Sequence, residues 1–178
     1  MFEFSVVSTE ELGTAGAQQL LLLFIAAWPD GGFTGDDFAH AMGGRHYIAQ
    51  FEGRIVSHAS VVERRLEADG RPLRTGYVEA VATEPAWQGR GLATRIMTDV
   101  SAHIREHFEL GALSTGNPGL YARLGWLPWD GPLAVRTITG LVPSDQTEEG
   151  VMMLRTVLTP RLPNRATLTC DKRTGDSW

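Results

Sequence analysis

The stretch that decides the fold reads Glu84-Pro85-Ala86-Trp87-Gln88-Gly89-Arg90-Gly91-Leu92-Ala93. A strand read from Leu73 to Ala82, carrying the charged Glu79 between Val78 and Ala80, precedes it. Behind it, Leu92, Ile96, Val100, Ile104 and Phe108 recur at helical spacing. A strand therefore enters a helix through a glycine loop. Glycines let the main chain approach a ligand closely, and the first turn of the following helix presents unpaired N–H groups at the positive end of its dipole. With charge from Arg90 and Arg95, the loop reads as a cradle for phosphate or pyrophosphate.

Working outward toward the N-terminus, Leu73 to Ala82, Arg54 to Glu67 and His46 to Phe51 read as three strands joined by turns at Ala68-Asp69-Gly70 and Glu52-Gly53, an antiparallel meander. Before them, Phe2 to Ser8 alternates like a strand, and Thr9 with Glu10 and Glu11 supplies the N-cap and acidic first turn of a helix reaching about Ala27. A Gly- and Pro-rich loop, Pro29 to Gly35, leads to a short helix capped by Asp36-Asp37 and ended by Gly43-Gly44. Toward the C-terminus, Leu110 to Ser114 reads as a buried strand, Leu120 to Leu124 as a short helix and Trp126 to Val135 as a strand interrupted by Asp130-Gly131-Pro132. Thr139 to Gly150 is polar and turn-rich, and Val151 to Val157 and Ala166 to Cys170 add late strands. The expected fold is a single α+β domain, residues 1–178, with a mixed, mostly antiparallel sheet flanked by helices.

Composition limits the function classes. With 178 residues, 43% hydrophobic and 21% charged, the chain has the makings of a core, which excludes disorder and coiled coil. A net charge of -5 offers no attraction to a phosphate backbone, so nucleic acid is not an expected partner, and the acidic balance suits a cationic small molecule instead. The single cysteine, Cys170, excludes internal disulfides and a Cys-rich zinc site and fits a reducing, cytoplasmic setting. No basic stretch followed by an apolar run opens the chain, and the longest apolar run, Leu20 to Trp28, is about half the length of a membrane-spanning helix, so no membrane is expected either.

Three phosphate-loop patterns compete for the glycine stretch. A P-loop requires Gly-Lys-Ser/Thr, and Gly91-Leu92-Ala93 has neither the lysine nor the hydroxyl. A dinucleotide loop places a third glycine where Thr94 stands, in an early βαβ unit rather than after antiparallel strands. The third pattern, Q/R-x-x-G-x-G/A, is met by Gln88, Gly91 and Ala93 and resembles the pyrophosphate-binding signature of the GCN5-related N-acetyltransferases (GNAT). Gly76-Tyr77-Val78-Glu79-Ala80-Val81, Leu110-Gly111-Ala112-Leu113-Ser114, Gly125-Trp126-Leu127-Pro128-Trp129 and the ending from Cys170 to Trp178 narrow the resemblance to aminoglycoside 2'-N-acetyltransferases. Phe33 to His40 and Gly43 to His46 belong to the same match, which spans nearly the whole chain.

The resemblance implies a GNAT fold with acetyl-CoA as cosubstrate, no metal, and a polycationic aminoglycoside acceptor. It makes Glu79 the general base, acting through a water chain, and Tyr121 the general acid for the departing thiolate. It assigns Val81 and Thr83 to the pantetheine arm, the Val81 N–H to the thioester carbonyl, Ser114 to cofactor or substrate, and Gln88, Gly89, Arg90, Gly91, Leu92 and Ala93 to the pyrophosphate. Asp37, Asp176, the α-carboxylate of Trp178 and Glu148 or Glu149 are assigned to the drug together with Glu79, and relatives are homodimers. On spacing alone, Glu79 reads as an exposed strand acid, Tyr121 as a packing residue and each further acid as a solvated surface group. With Cys170 the only thiol and far along the chain from the loop, direct transfer in a ternary complex is expected.

Other readings stay open beside this one. His103-Ile104-Arg105-Glu106-His107 matches the inverted zinc-peptidase pattern H-x-x-E-H, although a third ligand is not evident. The acceptor could instead be a polyamine, a metabolite amine or a protein lysine, and the domain could bind acetyl-CoA or drug without turnover.

Overall fold

The computed structural model describes residues 1–144, 150–163 and 165–178. They fall into two compact units, residues 1–62 with 78–100, and residues 63–77 with 101–178. Three elements contribute to both: β3 (Arg54–Ala68), β4 (Arg71–Thr83) and α3 (Leu92–His107).

In the first unit, β1 (Phe2–Ser8) pairs antiparallel with β2 (Arg45–Phe51), and β2 with β3, in a register that sets Arg45 opposite Val61 and slips once between Ala49 and Gln50. The first helix, α1 (Thr9–Ala27), is capped by Ser8 and not, as the sequence suggested, by Thr9. The Ser8 hydroxyl accepts the Glu11 N–H at 3.1 Å and the Glu11 carboxylate accepts the Ser8 N–H at 2.7 Å, a reciprocal box. α2 (Gly35–Ala41) repeats the device with Thr34 as cap and Asp37 as its partner, so the cap is not the Asp36-Asp37 pair. Along α1, Leu20, Leu23 and Phe24 turn inward and pack with Ile48, Ile55 and Ala82.

In the second unit, β5 (Leu110–Thr115) runs parallel to β4, with Gly76 opposite Gly111, and antiparallel to β9 (Gly150–Arg155). A side chain on either glycine would strike the helix face above. A Cβ on Gly76 would lie 2.9 Å from Ile104 and Phe108, and one on Gly111 3.0 Å from Ile104 and Trp126. The facing glycines therefore let α3 settle onto the sheet with Ile104 wholly buried. The expected Trp126–Val135 strand divides into β6 (Leu127–Pro128), which pairs with β9, and β7 (Leu133–Thr137), which runs parallel to β10 (Leu168–Asp171). The turn between them is fixed at Gly131, where a Cβ would lie 2.2 Å from the Ala166 carbonyl oxygen. β8 (Gly140–Pro143) forms a hairpin with β7 in a segment expected to hold only turns. α4 (Pro118–Ala122) follows β5, and parallel and antiparallel pairs together make the sheet mixed, as expected.

Candidate active site

Strand β4 is irregular where the sequence places its chemistry. Ala80 has φ +51°, a left-handed residue inside a strand, and the residues around it, Glu79 and Val81, are half-buried. Such a conformation costs a non-glycine residue about 1–2 kcal/mol and interrupts the alternation of side chains. Buried donors from β3 attend to the carbonyls along this kink. The Ser60 hydroxyl donates to Glu79 O at 3.4 Å, His58 Nδ1 lies 2.8 Å from Ala80 O, and the Ser57 hydroxyl donates to Ala82 O at 3.0 Å. Ser57, His58 and Ser60 are all wholly buried. Behind His58 the contacts continue: His46 Nδ1 is 2.9 Å from His58 Nε2, Thr9 Oγ1 is 2.7 Å from His46 Nε2, and Thr9 Oγ1 accepts the Gly43 N–H at 2.8 Å. Burial pushes the imidazole of His46 down to about 4 and that of His58 to about 3, the latter also lowered by His46 and raised by its bond to Ala80.

The glycine loop follows in the same unit. A single 3-10 turn, Pro85–Trp87, seats Trp87 against Phe2 and Phe51, with ring centroids 5.3 and 4.6 Å away. The Arg90 guanidinium lies 5.0 Å above the Trp87 ring, and Gln88 Nε2 donates to Thr83 O at 3.2 Å, closing the loop on the strand it leaves. Gly89 and Gly91 have φ +72° and +77°, conformations that glycine adopts without strain, and a Cβ at either would meet nothing within 4 Å. Gly91 O accepts the Arg95 N–H at 3.0 Å and opens α3. Gln88 to Gly91 are exposed, Leu92 is buried beneath them and Ala93 is half-buried, which gives the exposed, glycine-kinked helix entrance that a diphosphate requires. Arg95 is committed elsewhere, to Asp99 at 3.2 Å.

Where α1 meets α2, Trp28 and Phe33 stack at 5.0 Å and, with Leu21, Ile25, Thr34 and Phe38, line a pocket of about 300 Å³. Asp37 stands at the start of α2, its Oδ2 accepting both the N–H and the hydroxyl of Thr34 at 2.7 Å.

In the second unit, Ser114 is half-buried on β5 opposite Val151, and Tyr121 is buried on α4, its ring 6.4 Å from that of Trp126. The Tyr121 carbonyl accepts the N–H groups of Leu124 and Trp126, which sets the turn after α4. The chain's ending is held by several contacts. Arg64 donates to Ser177 O at 2.8 Å, Arg173 to Asp176 O at 2.8 Å, and the Asp176 Oδ1 accepts the Trp178 N–H at 3.1 Å. Both guanidinium groups stand over the Tyr77 ring, at 4.4 and 5.7 Å. Trp178 is buried and Asp176 exposed. The Cys170 thiol donates to Ser177 O at 3.2 Å, and burial raises its pKa. Glu148 and Glu149 lie outside the described residues.

The His103 and His107 rings lie tilted to each other with centroids 4.4 Å apart, but no cluster of three metal-ligating side chains occurs among the described residues, so the H-x-x-E-H pattern gains no third ligand there. Nor is any described helix long and apolar enough to cross a membrane. Sequence reasoning missed the donors that hold the kink. Their signal was a polar trio, Ser57, His58 and Ser60, inside the otherwise apolar run Ile55 to Val62, since polar groups buried on such a strand require partners.

Residues 36–128 match the family model for the acetyltransferase (GNAT) domain. An aminoglycoside 2'-N-acetyltransferase from Mycolicibacterium fortuitum is 38% identical over 177 residues, covering 97% of this chain and 90% of that protein. The fold matches that of a GNAT family acetyltransferase from Brucella melitensis in complex with acetyl-CoA, with a TM-score of 0.61 at 15% identity over 92% of this chain and 93% of that one. It also matches a GCN5-related N-acetyltransferase from Kribbella flavida, with a TM-score of 0.60 at 17% identity over 74% of this chain but only 34% of that longer one. The chain therefore belongs to the aminoglycoside 2'-N-acetyltransferase family of GNAT acetyltransferases.

Proposed function

We propose that this protein moves the acetyl group of acetyl-CoA onto the 2'-amino group of an aminoglycoside, by direct attack within a ternary complex. The observation that carries the reading is the 38% identity to a protein of that name across 97% of the chain. The loop supports it: a diphosphate fits where two left-handed glycines leave open space at the entrance to a helix.

In this reading Glu79 takes the proton that the attacking ammonium must lose, through water, and the amine nitrogen adds to the thioester carbon while the carbonyl electrons move onto oxygen. The Val81 N–H donates to that oxygen. Collapse of the tetrahedral intermediate breaks the carbon–sulfur bond, Tyr121 protonates the departing thiolate, and the second proton shed by the nitrogen restores the Tyr121 hydroxyl through water. The products are the amide and coenzyme A. Val81 and Thr83 hold the pantetheine, Gln88 to Ala93 the diphosphate, and Ser114 contacts cofactor or substrate. Asp37, Asp176, the Trp178 α-carboxylate and Glu148 or Glu149 receive the drug's ammonium groups. No metal takes part and no nucleic acid is bound. The protein acts in the cytoplasm as a homodimer of one-domain chains spanning residues 1–178.

A thiol-release assay against aminoglycosides, polyamines and peptide lysines tests the reading. Coenzyme A release is expected with drugs that carry a 2'-amine and not with their 2'-hydroxyl counterparts. Release with polyamines alone would reassign the acceptor, and drug binding without release would leave a binding module. Glu79→Gln should lower turnover and Tyr121→Phe slow it more modestly.

A further inference from the structure

We propose that the buried chain Thr9–His46–His58 is a positioning device, which locks the left-handed kink at Ala80 and thereby aims the Glu79 carboxylate and the Val81 N–H. The proposal rests on Glu79 as the base.

The argument begins at Ala80 O, which can only accept. His58 Nδ1, 2.8 Å away, therefore carries a hydrogen. In a neutral imidazole Nε2 is then an acceptor, so the hydrogen between the two rings sits on His46 Nδ1, 2.9 Å away. His46 Nε2 in turn accepts from Thr9. That hydroxyl has one hydrogen to give, and His46 Nε2 at 2.7 Å is a better acceptor than Gly44 O at 3.5 Å. The Thr9 oxygen finally accepts the Gly43 N–H at 2.8 Å. Each contact fixes the next, and every hydrogen points from the Gly43 turn toward Ala80. The pattern requires both rings neutral: a second proton on His58 Nε2 would be set against the His46 Nδ1–H, and one on His46 Nε2 would face the Thr9 hydroxyl in place of the acceptor that this hydroxyl's hydrogen uses. Complete burial of both histidines enforces this.

The chain does not carry protons, because it ends on an amide carbonyl that has nowhere to pass one. What it can do is hold. His58 is wedged edge-on against Phe24, 5.2 Å between centroids, so its ring is fixed by the apolar cluster of α1. A fully satisfied buried network of this kind specifies one arrangement, since any shift leaves a donor unpaired in the core. The three donors Ser57, His58 and Ser60 all converge on carbonyls between Glu79 and Ala82, the stretch that the acetyl group must face on the proposed reading. Glu79 and Val81 flank the kink, so a rotation at Ala80 would turn the base and the carbonyl-binding amide together.

Two measurements test the device. Long-range proton–nitrogen spectra of the uniformly labelled protein at neutral pH should show His46 and His58 both as the Nδ1–H tautomer, and an Nε2–H tautomer at either would overturn the chain without reference to catalysis. Kinetics of His58→Asn and His58→Leu test its purpose. The Asn amide nitrogen can occupy the Nδ1 place and still donate to Ala80 O, whereas Leu cannot. Turnover should stay within about threefold of wild type in His58→Asn and fall by about tenfold or more in His58→Leu, with KM for both substrates within about threefold, as expected when only transition-state groups are misaimed. Equal losses in the two variants, or a folded His58→Leu with full turnover, would overturn the proposal. Glu79→Gln is measured alongside. If it keeps full turnover, the assignment of the base fails, and the spectra still report whether the chain exists.

Discussion

Mild acid should weaken the fold through the same two histidines. In the unfolded chain each imidazole titrates near 6.5, whereas in the folded protein burial holds His46 near 4 and His58 near 3. Between these values the unfolded state binds protons that the folded state refuses. The stabilisation is complete above about pH 6.5 and is lost as the pH falls toward the folded values. Each such group contributes a slope that rises to about 1.4 kcal/mol per pH unit as the pH falls below 6.5, so lowering the pH from 7 to 5 removes about 2 kcal/mol per histidine and about 4 kcal/mol for the pair. That is a large share of the roughly 5–15 kcal/mol that holds a domain together. The Glu11 carboxylate, lowered by its bonds to Ser8, weakens the fold only below its ordinary 4.5, and the raised Cys170 thiol acts on the alkaline side, so neither confuses the window. Urea melts followed by tryptophan fluorescence at about pH 7, 6 and 5 would read the slope. A midpoint that does not move across this range would refute the reasoning, as would a His46→Asn/His58→Asn double variant that keeps the wild-type slope.

Three further perturbations test the packing and the route. Gly44→Ala would bring a Cβ within 2.4 Å of the Val61 carbonyl oxygen, a main-chain atom that cannot turn aside, and should cost more than about 2 kcal/mol in urea melts. Trp126 is wholly buried and donates from Nε1 to Ser101 Oγ at 2.9 Å; Trp126→Ala should cost about 3–5 kcal/mol, and Trp126→Phe, which removes the indole N–H and part of the ring volume, about 1–3 kcal/mol. Cys170→Ala should leave turnover intact with a loss near 1 kcal/mol from its bond to Ser177 O, whereas an inactive but folded variant would argue for an acyl-enzyme route.

The periodic parts of the molecule were legible in the sequence and the paired parts were not. The glycine loop and α3 could be read because turn residues and a 3.6-residue stripe are local signals, and β1 to β4 because alternation and two-residue turns are local as well. The cap of α1 was misread because Ser8 and Thr9 are equally eligible by type. Tertiary contact decided between them, since the Thr9 hydroxyl serves His46 and Gly43. The two pieces of the Trp126–Val135 stretch found different neighbours, β9 and β10, because partner choice in a sheet is a long-range matter that no window of sequence contains. The histidine chain was hidden for the same reason. His46 lies opposite Ser60 and His58 opposite Ile48, so the two rings meet only as diagonal neighbours in a register that the sequence does not display.

The acids assigned to the drug share a structural habit that bears on how they would work. Asp37 engages Thr34 twice through Oδ2, and Asp176 engages the Trp178 amide through Oδ1. In each case a main-chain N–H and one carboxylate oxygen fix the side chain's direction, while the second oxygen is not used by that contact. A carboxylate has about four lone-pair positions, so these bonds leave capacity for an ammonium group. A pinned acid also gives up less rotamer freedom on binding than a loose surface one, which lowers the entropic cost of gripping a flexible polycation. Removing such an acid would therefore disturb two things at once, the start of α2 or the chain's ending as well as affinity. Asn, which keeps the carbonyl that accepts the N–H, is the replacement that separates them.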